Sequence, residues 1–198
     1  MGKGAWQNPL AGCLSSSAAA LEPCLGKVKP TARLDESATV SSSAKVKGFA
    51  KVNGGAAVGE GAVVGSYSVV GDGASIGKNV KVGLGAQVHR GARIGDNVKL
   101  GAGCKVGEGA TVCAGSNIGC GASVGTDAFV GENTKMGLGA KVFENCVVND
   151  NCVLWYGSAV LPGVTVPPGT TVQPGKRETG TKLPRSDSSV AMKLAFYD

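Results

Sequence analysis

The sequence predicts an all-β chain, a single-stranded parallel β-helix of three-sided coils, and three observations lead there. From Val28 to Val172 every sixth residue is aliphatic or Met, an unbroken run of 25 hexads with both ends counted. Two places before each of these stands a small residue, as in Ala32, Ala38, Ala44, Ala50, Ala56, Ala62, Ser68, Ala74, Ala86, Ala92 and Ala110. Three places after it stands Gly, Asn or Asp almost throughout, as in Gly85, Gly91, Asn97, Gly103, Gly109, Asp127, Asn133 and Asn145. An uninterrupted short period of this kind marks a stacked solenoid.

Each hexad position has its own physical task. The large aliphatic and the small residue both point inward, and the residue between them points out, which is the period-two alternation of a short strand. Gly, Asn and Asp tolerate the positive φ that a sharp corner between flat strands demands. Three hexads close one coil of 18 residues, so the repeat makes about eight triangular coils and a prism roughly 40 Å long at about 4.8 Å per coil.

The domain boundaries follow from where the period holds. Residues 27–175 form the β-helix. Residues 1–26 form an N-terminal arm or cap, in which Leu10, Cys13, Leu14, Ala18 and Leu21 have helical spacing over 10–22 before Pro23 stops the run. Pro162, Pro167, Pro168 and Pro174 are expected to close the repeat, because proline cannot donate to a further strand. Residues 176–198 form a tail with a short helix expected over 188–197. Both flanks are expected to cover the open strand edges of the prism.

Charge is modest, +6 over the whole chain, and its placement is informative. The outward strand positions fall into three columns spaced by 18. One contains Lys45, Lys81, Lys99 and Lys135, and a second contains Arg33, Lys51, Lys105 and Lys141. The third reads Thr39, Ala57, Ser75, Arg93, Thr111, Phe129, Val147 and Thr165, and is nearly neutral. The neutral column is the candidate contact between subunits. The lysine faces are expected to be solvated and neutralised by corner acids such as Glu60, Asp72, Asp96 and Glu108, the other reading being contact with an anionic surface. Apart from the Trp155-Tyr156 pair the lysine faces lack interleaved aromatics, which argues against single-strand nucleic-acid binding, and no sequence-specific nucleic-acid partner is expected. Seven cysteines with no metal-type spacing point to a reducing intracellular compartment, cytoplasm or the matrix side of a mitochondrion. The arm, with Lys3 and Glu22, is a poor targeting signal.

The single histidine, His89, stands at a corner where most repeats have Gly. Phe143, Trp155, Tyr156 and Leu161 form a second group near one end, expected to serve as a cap or partner contact.

The small-residue hexad resembles that of the hexapeptide-repeat families, and the resemblance implies a left-handed β-helix and a trimer, against the usual right-handed crossover. Two stretches resemble the gamma-class carbonic anhydrases: Val88-His89 with Ile94-Gly95-Asp96-Asn97-Val98, and Leu154-Trp155-Tyr156-Gly157. That resemblance implies zinc held between subunits by three histidines. Only His89 matches; Ala102 and Gly107 stand at the other two ligand positions, and Leu161-Pro162-Gly163 replaces the family's Arg-Gly-Asp. No cofactor is therefore expected, with zinc only if partner chains supply ligands.

The expected function is a non-catalytic scaffold: a degenerate carbonic-anhydrase-like subunit in a larger assembly, in a homotrimer or in a heterotrimer with related β-helices. The resemblance is to the β-helical subunits of mitochondrial complex I, and more weakly to the pointed-end subunits of dynactin. Two alternatives stand beside it. One is a hexapeptide-repeat acyltransferase with His89 as general base and Asp96 or Glu108 orienting it. The other is a carbonic anhydrase subunit active only in a heterotrimer.

Overall fold

The hexads build strands of two residues each, one pointing out and one pointing in. In the computed structural model, which describes residues 28–178, 25 such strands run from Arg33–Leu34 to Arg177–Glu178. All pair in parallel, each with the strand 18 residues away, as Gln87–Val88 does with Lys105–Val106. The pairs sort into three sheets, the faces of a triangular prism. Face I has eight strands, from Lys45–Val46 to Thr171–Val172. Face II has nine, from Arg33–Leu34 to Arg177–Glu178, and face III has eight, from Thr39–Val40 to Thr165–Val166. The expected fold class is the one observed, and Val28 joins it only as a bridge to Val46.

The core is a continuous aliphatic column. Val46, Val64, Val82, Leu100, Ile118, Met136, Leu154 and Val172 stack on one another behind face I, all buried. From Ala44 to Ser158 the small inward positions are buried as well, and four of them carry hydroxyls: Ser68, Ser116, Thr134 and Ser158. Each hydroxyl donates to a corner carbonyl, Ser68 Oγ to Gly65 O at 2.6 Å and Ser158 Oγ to Trp155 O at 2.6 Å. Burying them costs little, because no buried side-chain polar atom among the described residues lacks a partner.

Corner chemistry is where the coils press hardest. The first corner residue is repeatedly glycine because the next coil lies directly against it. A Cβ on Gly71 would sit 2.7 Å from the backbone of His89 and Arg90, and one on Gly107 would sit 2.5 Å from Gly125. The third corner residue has φ between 50° and 71° at each of the Gly, Asn and Asp positions named above. Two large residues break that pattern, Phe49 at φ 59° and Tyr67 at φ 56°. Each accepts a left-handed backbone that costs a side chain about 1–2 kcal/mol.

The closing prolines act differently from the expectation. Pro162, Pro167, Pro168 and Pro174 lie in corners, and strands Thr165–Val166, Thr171–Val172 and Arg177–Glu178 continue beyond the first of them. Pro162, Pro168 and Pro174 stand at the second corner position, which needs no ladder N–H, so proline is compatible with the repeat there. Pro167 stands at the first, where one coil earlier Asn149 N donates to Val166 O at 3.2 Å, so it has no such bond to give. The ladder therefore runs to Glu178, past the expected boundary at 175. The expected helices over 10–22 and 188–197 lie outside the described residues.

Replacing Gly107 with Ala is expected to destabilise the prism by about 1–3 kcal/mol, because the added methyl meets backbone that cannot rotate away. Urea unfolding checks this, and an unchanged midpoint would mean that the coils separate more easily than the geometry allows.

Candidate functional site

Three edges separate the three faces, and they differ in chemistry. The II/III edge, which follows each face II strand, carries His89. The Val88–His89 step leaves the ladder with His89 N donating to Val106 O at 2.9 Å, and Ala92 N closes the corner onto His89 O at 3.3 Å. The backbone is thus fixed while the side chain is exposed. The imidazole has no hydrogen-bond or ion-pair partner among the described residues. The glycines above and below it do not make a pocket, since they are glycine because coils touch there.

The expected orienting carboxylates are placed apart. Asp96 lies on the III/I edge, a full face away beyond strand Arg93–Ile94, and its Oδ1 accepts from Lys78 N at 2.7 Å. Glu108 shares the II/III edge with His89, one coil on, with Arg90 in the coil between Asp72 and Glu108. On the same edge Asp35 accepts from Ser37 Oγ at 2.7 Å and from Ser37 N at 3.1 Å. Those bonds hold its carboxyl below the ordinary carboxylate value, the hydroxyl contributing most.

Face III divides into two halves. Thr39, Ala57, Ser75 and Arg93 are exposed, and a groove of about 570 Å³ runs past Ser75, Arg93, Ile94, Asp96 and Thr111. In the second half Thr111 and Phe129 are only 8% and 4% exposed, and Val147 and Thr165 are half-buried. The expected contact column is therefore free surface only over its first half. Phe129 lies outward on the sheet and is already buried within the single chain.

The aromatic group also separates. Phe143 and Leu161 are on the II/III edge, whereas Trp155 and Tyr156 are on the I/II edge, at the opposite margin of face II. A shallow groove of about 500 Å³, lined by Lys141, Phe143, Ala159, Leu161 and Arg177, lies on the face between them. Sequence spacing missed this because the two pairs are close in the chain but fall at different phases of the 18-residue coil. Phe49 and Tyr67, in phase one coil apart on the I/II edge, stack at 5.0 Å with planes 8° apart, a pair the sequence reading did not single out.

No three His, Cys, Asp or Glu side chains gather around a common point among the described residues. His89 shares its column with Gly107, and Ala102 is on the I/II edge, so this chain by itself presents one imidazole to any metal.

With this geometry in view, comparison with known proteins is informative. A protein-family model described as bacterial transferase hexapeptide matches residues 73–107, and one described as hexapeptide repeat of succinyl-transferase matches residues 55–88. The fold is similar to that of the UDP-N-acetylglucosamine acyltransferase of Francisella novicida, with TM-score 0.72 and 18% identity over 86% of this chain and 74% of that one. It is also similar to the corresponding enzyme of Moraxella catarrhalis, with TM-score 0.55 and 19% identity over 70% of each chain. For that of Campylobacter jejuni the TM-score is 0.51 and the identity 14%, over 86% of this chain and 82% of that one. A search of curated protein sequences gave no match. These findings overturn the expected non-catalytic scaffold: the similar folds are those of acyltransferases, and the matched repeats are described as those of transferases. The carbonic-anhydrase resemblance gains no support from them.

Cysteines are the remaining nucleophiles. Cys104, Cys113, Cys146 and Cys152 are buried and Cys120 is exposed. Cys146 Sγ donates to Leu161 O at 2.9 Å and Cys152 Sγ to Pro167 O at 3.1 Å. Burial, with a smaller Coulombic contribution from Cys120, pushes the Cys104 thiol from 9.0 up to about 12, and burial raises Cys146 and Cys152. These thiols are inert packing. Iodoacetamide is expected to modify Cys120 in the folded protein and to reach Cys104, Cys146 and Cys152 only on unfolding, as read by peptide mass spectrometry. Because the folded pKa of Cys104 lies above the unfolded one, its contribution to stability is complete below pH 9.0 and drains as pH rises to about 12. Cys104→Ala should flatten that alkaline decline, and equal slopes would contradict the assignment.

Proposed function

We propose that this protein, whose fold is the hexapeptide-repeat left-handed β-helix, is an acyltransferase with His89 as its general base. The observation that carries the reading is the one imidazole of the chain, exposed and without a partner among the described residues, on the edge that borders the open half of face III. An exposed histidine on a flat prism lacks walls of its own. A second prism packed against face III would supply them, enclosing His89 and the groove past Ser75 and Arg93. A site of that kind needs no inserted loop, in keeping with the unbroken run of hexads. We therefore read the working unit as a trimer in contact through Thr39, Ala57, Ser75 and Arg93.

The chemistry is direct transfer from an acyl thioester to a hydroxyl or amine. His89 takes the acceptor's proton as the acceptor oxygen or nitrogen attacks the thioester carbonyl. The tetrahedral oxyanion collapses, the carbon–sulfur bond breaks, and the imidazolium returns the proton to the leaving thiolate. The products are an ester or amide and a free thiol, with His89 neutral again. A positioned base of this type contributes about 10²–10⁴-fold.

Two experiments test the reading. Incubation with acyl-coenzyme A donors from acetyl to palmitoyl, and with hydroxyl- and amine-bearing sugars including UDP-N-acetylglucosamine, is expected to yield acylated product by mass spectrometry. His89→Ala should lower that rate about 10²–10⁴-fold with an unchanged Tm; product formation equal to the parent protein, or none with any pair, would contradict the proposal. Sedimentation should give three times the 19.6 kDa of one chain, and Ala57→Asp with Ser75→Asp should reduce it to one. A trimer untouched by both changes would place the contact elsewhere.

A further inference from the structure

The I/II edge has no acidic residue along its length and holds most of the large apolar side chains that the prism exposes. Its corners read Lys47-Gly48-Phe49, Gly65-Ser66-Tyr67, Gly83-Leu84-Gly85, Gly101-Ala102-Gly103, Gly119-Cys120-Gly121, Gly137-Leu138-Gly139 and Trp155-Tyr156-Gly157. Phe49, Tyr67, Leu84, Leu138, Trp155 and Tyr156 are each between 48% and 66% exposed. They line a ridge six coils long, about 29 Å at the usual strand spacing. Leu84, Leu138 and Tyr156 occupy its apex column, with the small Ala102 and Cys120 between them. An exposed apolar surface of this extent marks an interaction site.

Charge on either side of the ridge is of one sign. Face I brings Lys45, Lys81, Lys99 and Lys135, and face II brings Arg33, Lys51, Lys105, Lys141 and Arg177. None of these cations is paired with a carboxylate among the described residues. The described acids Asp35, Glu36, Asp72, Glu108, Asp127 and Glu144 sit on the II/III edge, and Glu60, Asp96, Glu132 and Asp150 sit on the III/I edge. The corner acids thus flank face III, and none lies on the ridge. The cost of Phe49 and Tyr67 in left-handed backbone, where every comparable corner has Gly, Asn or Asp, also falls on this ridge.

We propose that the I/II edge docks the protein onto an anionic lipid surface. A row of Trp, Tyr, Phe and Leu tips between two rows of Lys and Arg is the chemistry of an interfacial membrane anchor: the tips enter the headgroup boundary and the long cations reach the phosphates. The convex shape selects this occupant. A protruding prism edge offers no groove for a peptide or a nucleic-acid strand, whereas a fluid surface closes around it. No helix among the described residues is long and apolar enough to cross a membrane, so the contact is one of lying on the surface. Face III is opposite this edge, so a trimer formed through face III leaves the ridge outward. The proposal rests on residues separate from His89.

The test is partition of the full chain onto vesicles of phosphatidylcholine alone and of phosphatidylcholine with about a third phosphatidylserine. Binding is expected only to the anionic vesicles, weakened by salt. Each of Lys81→Glu and Lys99→Glu should weaken it about fivefold or more. Leu84→Ser with Leu138→Ser should weaken it at least about tenfold with the circular dichroism and oligomer size unchanged. In a Trp6→Phe background, Trp155 emission should shift to the blue on anionic vesicles. No partition, or partition indifferent to the two leucines and without a Trp155 shift, would overturn the proposal. Equal retention of the leucine variant on single-stranded RNA and vesicles would assign the cations to polyanion binding instead. Loss of the oligomer in the leucine variant would make the ridge a contact between copies, and the proposal would again fail.

Discussion

The rest of the structure depends on how closely one coil lies on the next. Parallel strands of two residues hold few hydrogen bonds each, so the ladder survives only because every coil repeats the same 18-residue path in register with its neighbours. That register brings backbone against backbone at the first corner residue, where a Cβ added to Gly71, Gly107 or Gly125 would stand well inside contact distance. It also brings the aliphatic positions into unbroken columns, where side-chain burial supplies the stability that such short strands cannot. One constraint thus dictates both the glycine at the corner and the valine within.

The same constraint leaves the second corner residues and the outward strand residues free to vary, and this is where function can be written. The three edges differ in what they carry. The I/II edge is apolar at its tips and basic at its flanks. The II/III edge carries acids and the one histidine, and the III/I edge uses its acids locally, Asp96 and Asp150 accepting from the backbone of Lys78 and Glu132. Function in such a prism comes from which edge or face meets which partner, without any change in the fold.

Much of this was legible in the sequence. The hexad foretold strand positions, inward and outward residues, and the positive-φ corners, because each follows from period and side-chain size. Pro162, Pro168 and Pro174 were misread because the second corner position, like a chain end, has no ladder N–H to give, whereas Pro167 does stand where a ladder donor would be. The ridge was missed although its residues are conspicuous. Phe49, Tyr67, Leu84, Leu138 and Trp155 occupy three different corner positions, and only folding the chain at 18 residues per turn gathers them on one edge. His89 stands out in the sequence because it is unique; of the two carboxylates expected to orient it, Asp96 is near in the chain but a face away in space, and Glu108 is on the same edge one coil on. The inert-scaffold reading rested on the incomplete zinc-ligand set around His89, which bears on carbonic anhydrase chemistry and not on acyl transfer.

The account turns on His89 acting between subunits at the open half of face III. The most direct measurement is a crystal structure of the oligomer soaked with an acyl-coenzyme A thioester. The account requires neighbouring chains in contact through Thr39, Ala57, Ser75 and Arg93, with the thioester sulfur and carbonyl beside the His89 imidazole. Chains meeting through another surface, with His89 facing open solvent and the thioester bound elsewhere or not at all, would contradict it.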